Sequence, residues 1–109
     1  PSTVAELMAH EGEEASSLQE LIAVFARSGA AAIADMRDQA QTNNKHAVAY
    51  AAHKLKGSSG VMGAVRLSAL CQQLETRAEA GEQRLEPLVA DIATEFQRVT
   101  AALERLLTD

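Results

Sequence analysis

Aromatic side chains are scarce: one Tyr, two Phe and no Trp make up 3% of the 109 residues. A β-sandwich of this size would want more aromatic and β-branched residues on its faces. A single-strand nucleic-acid binder would want rings on which bases can stack. Positive charge is also in short supply. Ten Lys and Arg stand against fifteen Asp and Glu, for a formal net charge of −5, which opposes the phosphate neutralisation that nucleic-acid binding rests on. The single cysteine, Cys71, cannot form an internal disulfide, and this points to a reducing compartment. No apolar run approaches the ~20 residues of a membrane span, and there is no signal-peptide pattern. No nucleic-acid partner and no direct membrane contact are therefore expected, and the expected location is the cytoplasm.

What the chain has is aliphatic. Residues of the AVILMFWYC set make up 47% of it, with alanine abundant, a mixture that favours closely packed helices. Pro1 and Pro87 sit at or near the starts of apolar-periodic segments, where a helix tolerates them. Between the marks Gly12, Asn43-Asn44, the Gly57, Gly60, Gly63 cluster and Gly81, apolar residues recur at helical spacing. The periodicity predicts helices over residues 3–10, 14–41, 45–60, 64–80 and 86–107, with Asn44 as an N-cap and Gly81 as a stop. Gly29, inside the second segment, is a weak point or a close helix contact. The expected architecture is all-α, a single domain spanning residues 1–109. Four long amphipathic segments on short links form an antiparallel up-down-up-down four-helix bundle, and the short N-terminal helix caps one end.

The third segment raises the question of which way His53 points. At ~100° per residue, Val48, Ala52, Leu55, Ser59 and Met62 fall roughly 100° to 160° from His53 and form a buried stripe. His46, Ala49, Tyr50, Lys56, Gly57 and Gly60 fall within about 60° of it. The imidazole is thus expected on the solvent face, with two glycines, an alanine and a lysine around it. Helical glycines cost ~1 kcal/mol each relative to alanine, so a surface bared at that cost suggests docking, with a cation placed to neutralise an anion carried by the ring. Singly, an exposed histidine, a solvated lysine and glycines near a helix end are ordinary surface features. Their conjunction is what carries the functional reading.

The run His53-Lys54-Leu55-Lys56-Gly57-Ser58-Ser59-Gly60, followed by Gly63, Leu67, Leu70, Cys71, Leu74 and Glu75, resembles the signature of histidine-containing phosphotransfer (HPt) domains. The resemblance covers about a quarter of the chain directly and extends through the helix plan to most of it. It implies that His53 is phosphorylated at Nε2, that Lys56 neutralises the phosphoryl group and that Glu75 hydrogen-bonds the ring Nδ1. Gly57 matches the glycine that leaves room for a receiver domain, and Ala49, Tyr50, Lys54, Gly60 and Gln72 complete the expected docking face. Tyr50 is bulkier than expected there. His46 reads as surface, His10 lies in the capping helix without motif support, Ser58 and Ser59 take no chemical role, and Cys71 matches a core position.

The implied function is a carrier in a multistep two-component phosphorelay. It would accept a phosphoryl group from a receiver-domain aspartate and pass it to a response-regulator aspartate, without autonomous catalysis. No metal and no cofactor are expected in the domain itself, and Mg²⁺ and the acceptor Asp would come from the partner receiver domain. The isolated domain is expected to be a monomer. Because the chain starts at Pro1, a hybrid sensor histidine kinase is the favoured parent, and such a parent could be anchored in the inner membrane. Rival readings are the phosphoacceptor domain of a chemotaxis-type kinase and a non-phosphorylated helical scaffold. The dimerisation domain of an ordinary sensor kinase fits poorly, because Lys54 stands where an acidic residue is usual and no proline follows closely. A shared metal ion at His46 and His53 fits poorly too, since seven residues of helix separate them by ~10 Å.

Overall fold

The computed structural model describes residues 14–108. Among them there are four helices and no strand: α1 (Glu14–Gln41), α2 (Lys45–Val61), α3 (Val65–Glu79) and α4 (Glu86–Thr108). The observed bounds depart from the periodicity by one residue at most, at the end of α2, both ends of α3 and the end of α4. The helix expected over residues 3–10 lies outside the described residues. No helix among the described residues is long and apolar enough to cross a membrane.

The links between helices share one device. Asn43 (φ 59°), Gly63 (φ +75°) and Gly81 (φ +78°) each take the left-handed conformation just past a helix end. The next amide then reaches back to an orphan carbonyl: Asn44 N to Gln39 O at 2.9 Å, Ala64 N to Ser59 O at 2.8 Å, and Glu82 N to Arg77 O at 3.0 Å. This is the Schellman arrangement, and glycine or asparagine occupies its left-handed position because a Cβ is costly there. Each turn is short, and consecutive helices pack against one another. α2 restarts at once because the Asn44 side chain accepts from Ala47 N at 3.3 Å, the cap expected from its type. Pro87 falls in the first turn of α4, where the absent N–H would have had no helical partner.

The four helices close into a ring in which α1 packs on α2 and α4, and α3 packs on α2 and α4. Met36, Val48, Leu55, Leu67, Leu74, Val89 and Ile92 are fully buried at its centre. Cys71 lies among them, and burial pushes its thiol up to about 12, which keeps it protonated and inert. Gly29 is indeed a close contact: a Cβ added there would meet Cζ of Phe96 at 2.6 Å. Its absence lets the Phe96 ring settle 5.4 Å, centroid to centroid, from Phe25.

Two polar groups interrupt the core. Glu95 on α4 is buried, yet its carboxyl is held below the usual carboxylate range, chiefly by its hydrogen bond to Arg98 against the opposing effect of burial. Arg66 of α3 lies 3.5 Å from Oε1 of the same carboxylate, so the Glu95 carboxylate pairs with two guanidinium groups and ties α3 to α4. The hydroxyl of Ser59 is fully buried and has no hydrogen-bond partner among the described residues.

An unpaired buried hydroxyl costs about 1–3 kcal/mol. Ser59→Ala is therefore expected to raise the urea midpoint of unfolding by an amount equivalent to about 1 kcal/mol. A lowered midpoint would show that the hydroxyl has a stabilising partner.

Candidate functional site

His53 stands in the middle of α2 with 62% of its side chain exposed, as the helical wheel requires. α3 packs alongside, and two tethers set its register. Ser68 Oγ donates to the Lys56 carbonyl at 3.3 Å, and Lys45 Nζ donates to the Gly81 carbonyl at 2.9 Å. One tether lies beyond His53 towards the end of α2 and the other at its start, so the face of α3 that carries Gln72, Glu75 and Thr76 is held level with the imidazole. These three residues share a face because they are three and four apart on one helix.

The result is a continuous string of side chains. Glu75 Oε2 lies 3.0 Å from His53 Nδ1, and Glu75 Oε1 accepts from Lys56 Nζ at 2.9 Å. Lys56 Nζ also donates to Gln72 Oε1 at 2.9 Å, and Gln72 Nε2 donates to Thr76 Oγ1 at 3.0 Å. The Glu75 side chain is only 14% exposed. Its carboxyl is nevertheless held below the usual range, first by the hydrogen bond from Lys56, then by that from His53, with burial working the other way. An ionised carboxylate can only accept, so Nδ1 must carry the hydrogen of the bond. In the neutral ring that leaves the Nε2 lone pair bare and facing away from Glu75.

The neighbourhood of the ring is low. A Cβ added at Gly57 or Gly60 would meet nothing within 4 Å. Tyr50, on the exposed surface one turn before His53, carries the Lys54 ammonium 5.4 Å above its ring centroid. Ala49 departs from expectation. It is buried, at 7% exposure, because α3 closes over that flank of α2. It helps line an open groove of about 500 Å³ between α2 and α3, which His46, Tyr50, His53, Glu75 and Glu79 also line. Lys56 is also less exposed than the wheel implied, at 26% of its side chain, since it leans onto α3. Gln72, expected on the docking face, is bonded to Lys56. Thr76 was not singled out from the sequence, although its position one turn after Gln72 was the available signal. Among the described residues, no group of three or more His, Cys, Asp or Glu side chains could hold a metal ion.

The site thus presents an exposed imidazole with Nδ1 engaged by Glu75, an ammonium alongside, and two glycines nearby. Residues 20–109 match the Hpt domain family, and the chain belongs to that family as a histidine phosphotransfer module of phosphorelay signalling. It is similar to the crystal structure of histidine-containing phosphotransfer protein B (HptB) from Pseudomonas aeruginosa PAO1. The TM-score is 0.84 at 28% identity, over 97% of this chain and 90% of that one. No curated protein sequence matches the chain.

The depressed Glu75 carboxyl has a defined consequence for stability. A group whose folded pKa is lowered stabilises the fold above its unfolded value and loses that contribution as pH falls through the folded one. The stability advantage of the unaltered chain over Glu75→Gln is therefore expected to be full at neutral pH and to vanish as the solution is acidified through and below the usual carboxylate range. Chemical denaturation across that range reads it. A difference that stays constant with pH would show that the ion pair is not what Glu75 contributes.

Proposed function

We propose that His53 is the phosphoacceptor and that it relays a phosphoryl group between aspartates of two receiver domains, one in a donor kinase and one in a response regulator. The observation that supports this reading is the exposed His53 ring whose Nδ1 is taken by Glu75, which directs the nucleophilic Nε2 to solvent. In the accepting step the Nε2 lone pair attacks phosphorus. The N–P bond forms as the acyl–phosphate bond breaks, and the donor aspartate leaves as a carboxylate. The ring becomes cationic, and its Nδ1–H stays shared with Glu75, which stabilises that charge. The second transfer reverses these bonds on another aspartate.

Such transfers need in-line positioning and charge neutralisation more than covalent help. The near cation here is Lys56. The Mg²⁺ and acidic cluster that the reaction also draws on are assigned to the partner. Lys54, on the exposed side of α2, suits an acidic partner surface. Gly57 and Gly60 leave room for the partner's pocket to reach Nε2. One copy of the chain supplies every residue of the string, which fits a monomeric carrier.

A phosphorylated receiver domain of the same system is expected to label the chain with an acid-labile, alkali-stable phosphoryl group, and His53→Gln to abolish that label. Labelling that survives the substitution would move the site. Gly57→Gln meets open space and is expected to preserve the fold by circular dichroism. It should slow transfer about tenfold or more, since misplacement by ~1 Å already costs that much or more. An unchanged rate would remove this face from the interface.

A further inference from the structure

We infer that Gln72 is a positioning residue for the phosphoryl-bearing state, with Thr76 anchoring its side chain. This rests on the reading of His53 as the phosphoacceptor. An ammonium has three donors. In Lys56 one goes to Glu75 Oε1 and one to Gln72 Oε1, each at 2.9 Å. The third has no protein acceptor among the described residues. Two fixed acceptors hold the nitrogen beside the ring, and the remaining N–H is left for an anionic oxygen arriving on Nε2.

Gln72 can play this part only with its oxygen towards the lysine. The amide of a glutamine can turn over, and the turned-over form would set two N–H donors against an ammonium. The ammonium thereby selects the form with Oε1 towards Lys56. A threonine hydroxyl bonds either end of an amide, so Thr76 Oγ1, accepting from Gln72 Nε2 at 3.0 Å, anchors the far end of the side chain one turn away on α3. A lysine side chain is long and loses much rotamer freedom when it is held. Loss of Gln72 would leave Lys56 on a single tether, so its third N–H would no longer be aimed when the phosphoryl group arrives. Electrostatic help of this kind depends on the cation being in place beforehand.

The test uses the full chain and potassium phosphoramidate, a small anionic donor that removes partner docking from the measurement. In this reaction the Nε2–P bond forms as the P–N bond of the donor breaks and ammonia leaves. Gln72→Ala is expected to lower the labelling rate of His53 about threefold, the size an exposed charged pair supports, and to leave the melting temperature nearly unchanged. Thr76→Val should act in the same direction and Thr76→Ser should restore the rate. In a Lys56→Ala background, Gln72→Ala should have no further effect.

Three outcomes overturn the inference. A Gln72→Ala rate equal to that of the unaltered chain shows that Lys56 needs no second acceptor. An effect that persists undiminished without Lys56 shows that Gln72 acts by another route. An unaltered chain that phosphoramidate does not label at His53 removes the phosphoacceptor reading and this inference together, whereas the first two outcomes leave that reading standing.

Discussion

One carboxylate organises the site. Glu75 gives one oxygen to the imidazole of His53 and the other to the ammonium of Lys56, so a single group sets the tautomer of the ring and the place of the ammonium beside it. Neither partner could be aimed from α2 alone. His53 and Lys56 are three residues apart on one helix and point outward, with nothing of their own helix to fix a ring plane or a lysine terminus. The fixing comes from α3, and it works because the carboxyl of Glu75 stays ionised despite its burial, the two hydrogen bonds outweighing desolvation.

The fold can be understood as the means of keeping α3 at that height. The three-residue turns at Asn43 and Gly63 leave little slack, and the bonds from Ser68 to the Lys56 carbonyl and from Lys45 to the Gly81 carbonyl prevent α3 from sliding along α2. Behind them the apolar core and the ion pair of Glu95 with Arg66 fasten α3 to α4. Rigidity on this side of the bundle contrasts with the bare surface around His53, where glycines supply no contacts of their own. The chain gives up helix stability there, and in the proposed reading this leaves room for a partner.

Much of this was legible in the residues. The apolar period located the four described helices within a residue because Asn44, Gly63 and Gly81 punctuate them with caps of known chemistry. The exposure of His53 followed from counting around α2, and the HPt resemblance supplied Glu75 as its partner. The same counting did not foresee the burial of Ala49, since a wheel for one helix does not know on which flank the next helix will close. Thr76 escaped because its role exists only through Gln72, which matters only through Lys56, and such a string joins two helices at a register that periodicity does not encode. Glu95 was hidden for a related reason. It borders the apolar stripe of α4, and its burial is bearable only because Arg66 arrives from α3 and Arg98 from the next turn. The unpartnered hydroxyl of Ser59 has no signature in the sequence at all.

The most direct test is the nitrogen spectrum of the His53 ring. With selectively ¹⁵N-labelled histidine at a pH where the imidazole is neutral, a shared Glu75 carboxylate requires the Nδ1–H tautomer to predominate, with Nε2 unprotonated, and requires that preference to be lost in Glu75→Ala. A ring found mainly as the Nε2–H tautomer, or one indifferent to the removal of Glu75, would contradict the arrangement on which the rest of the site depends.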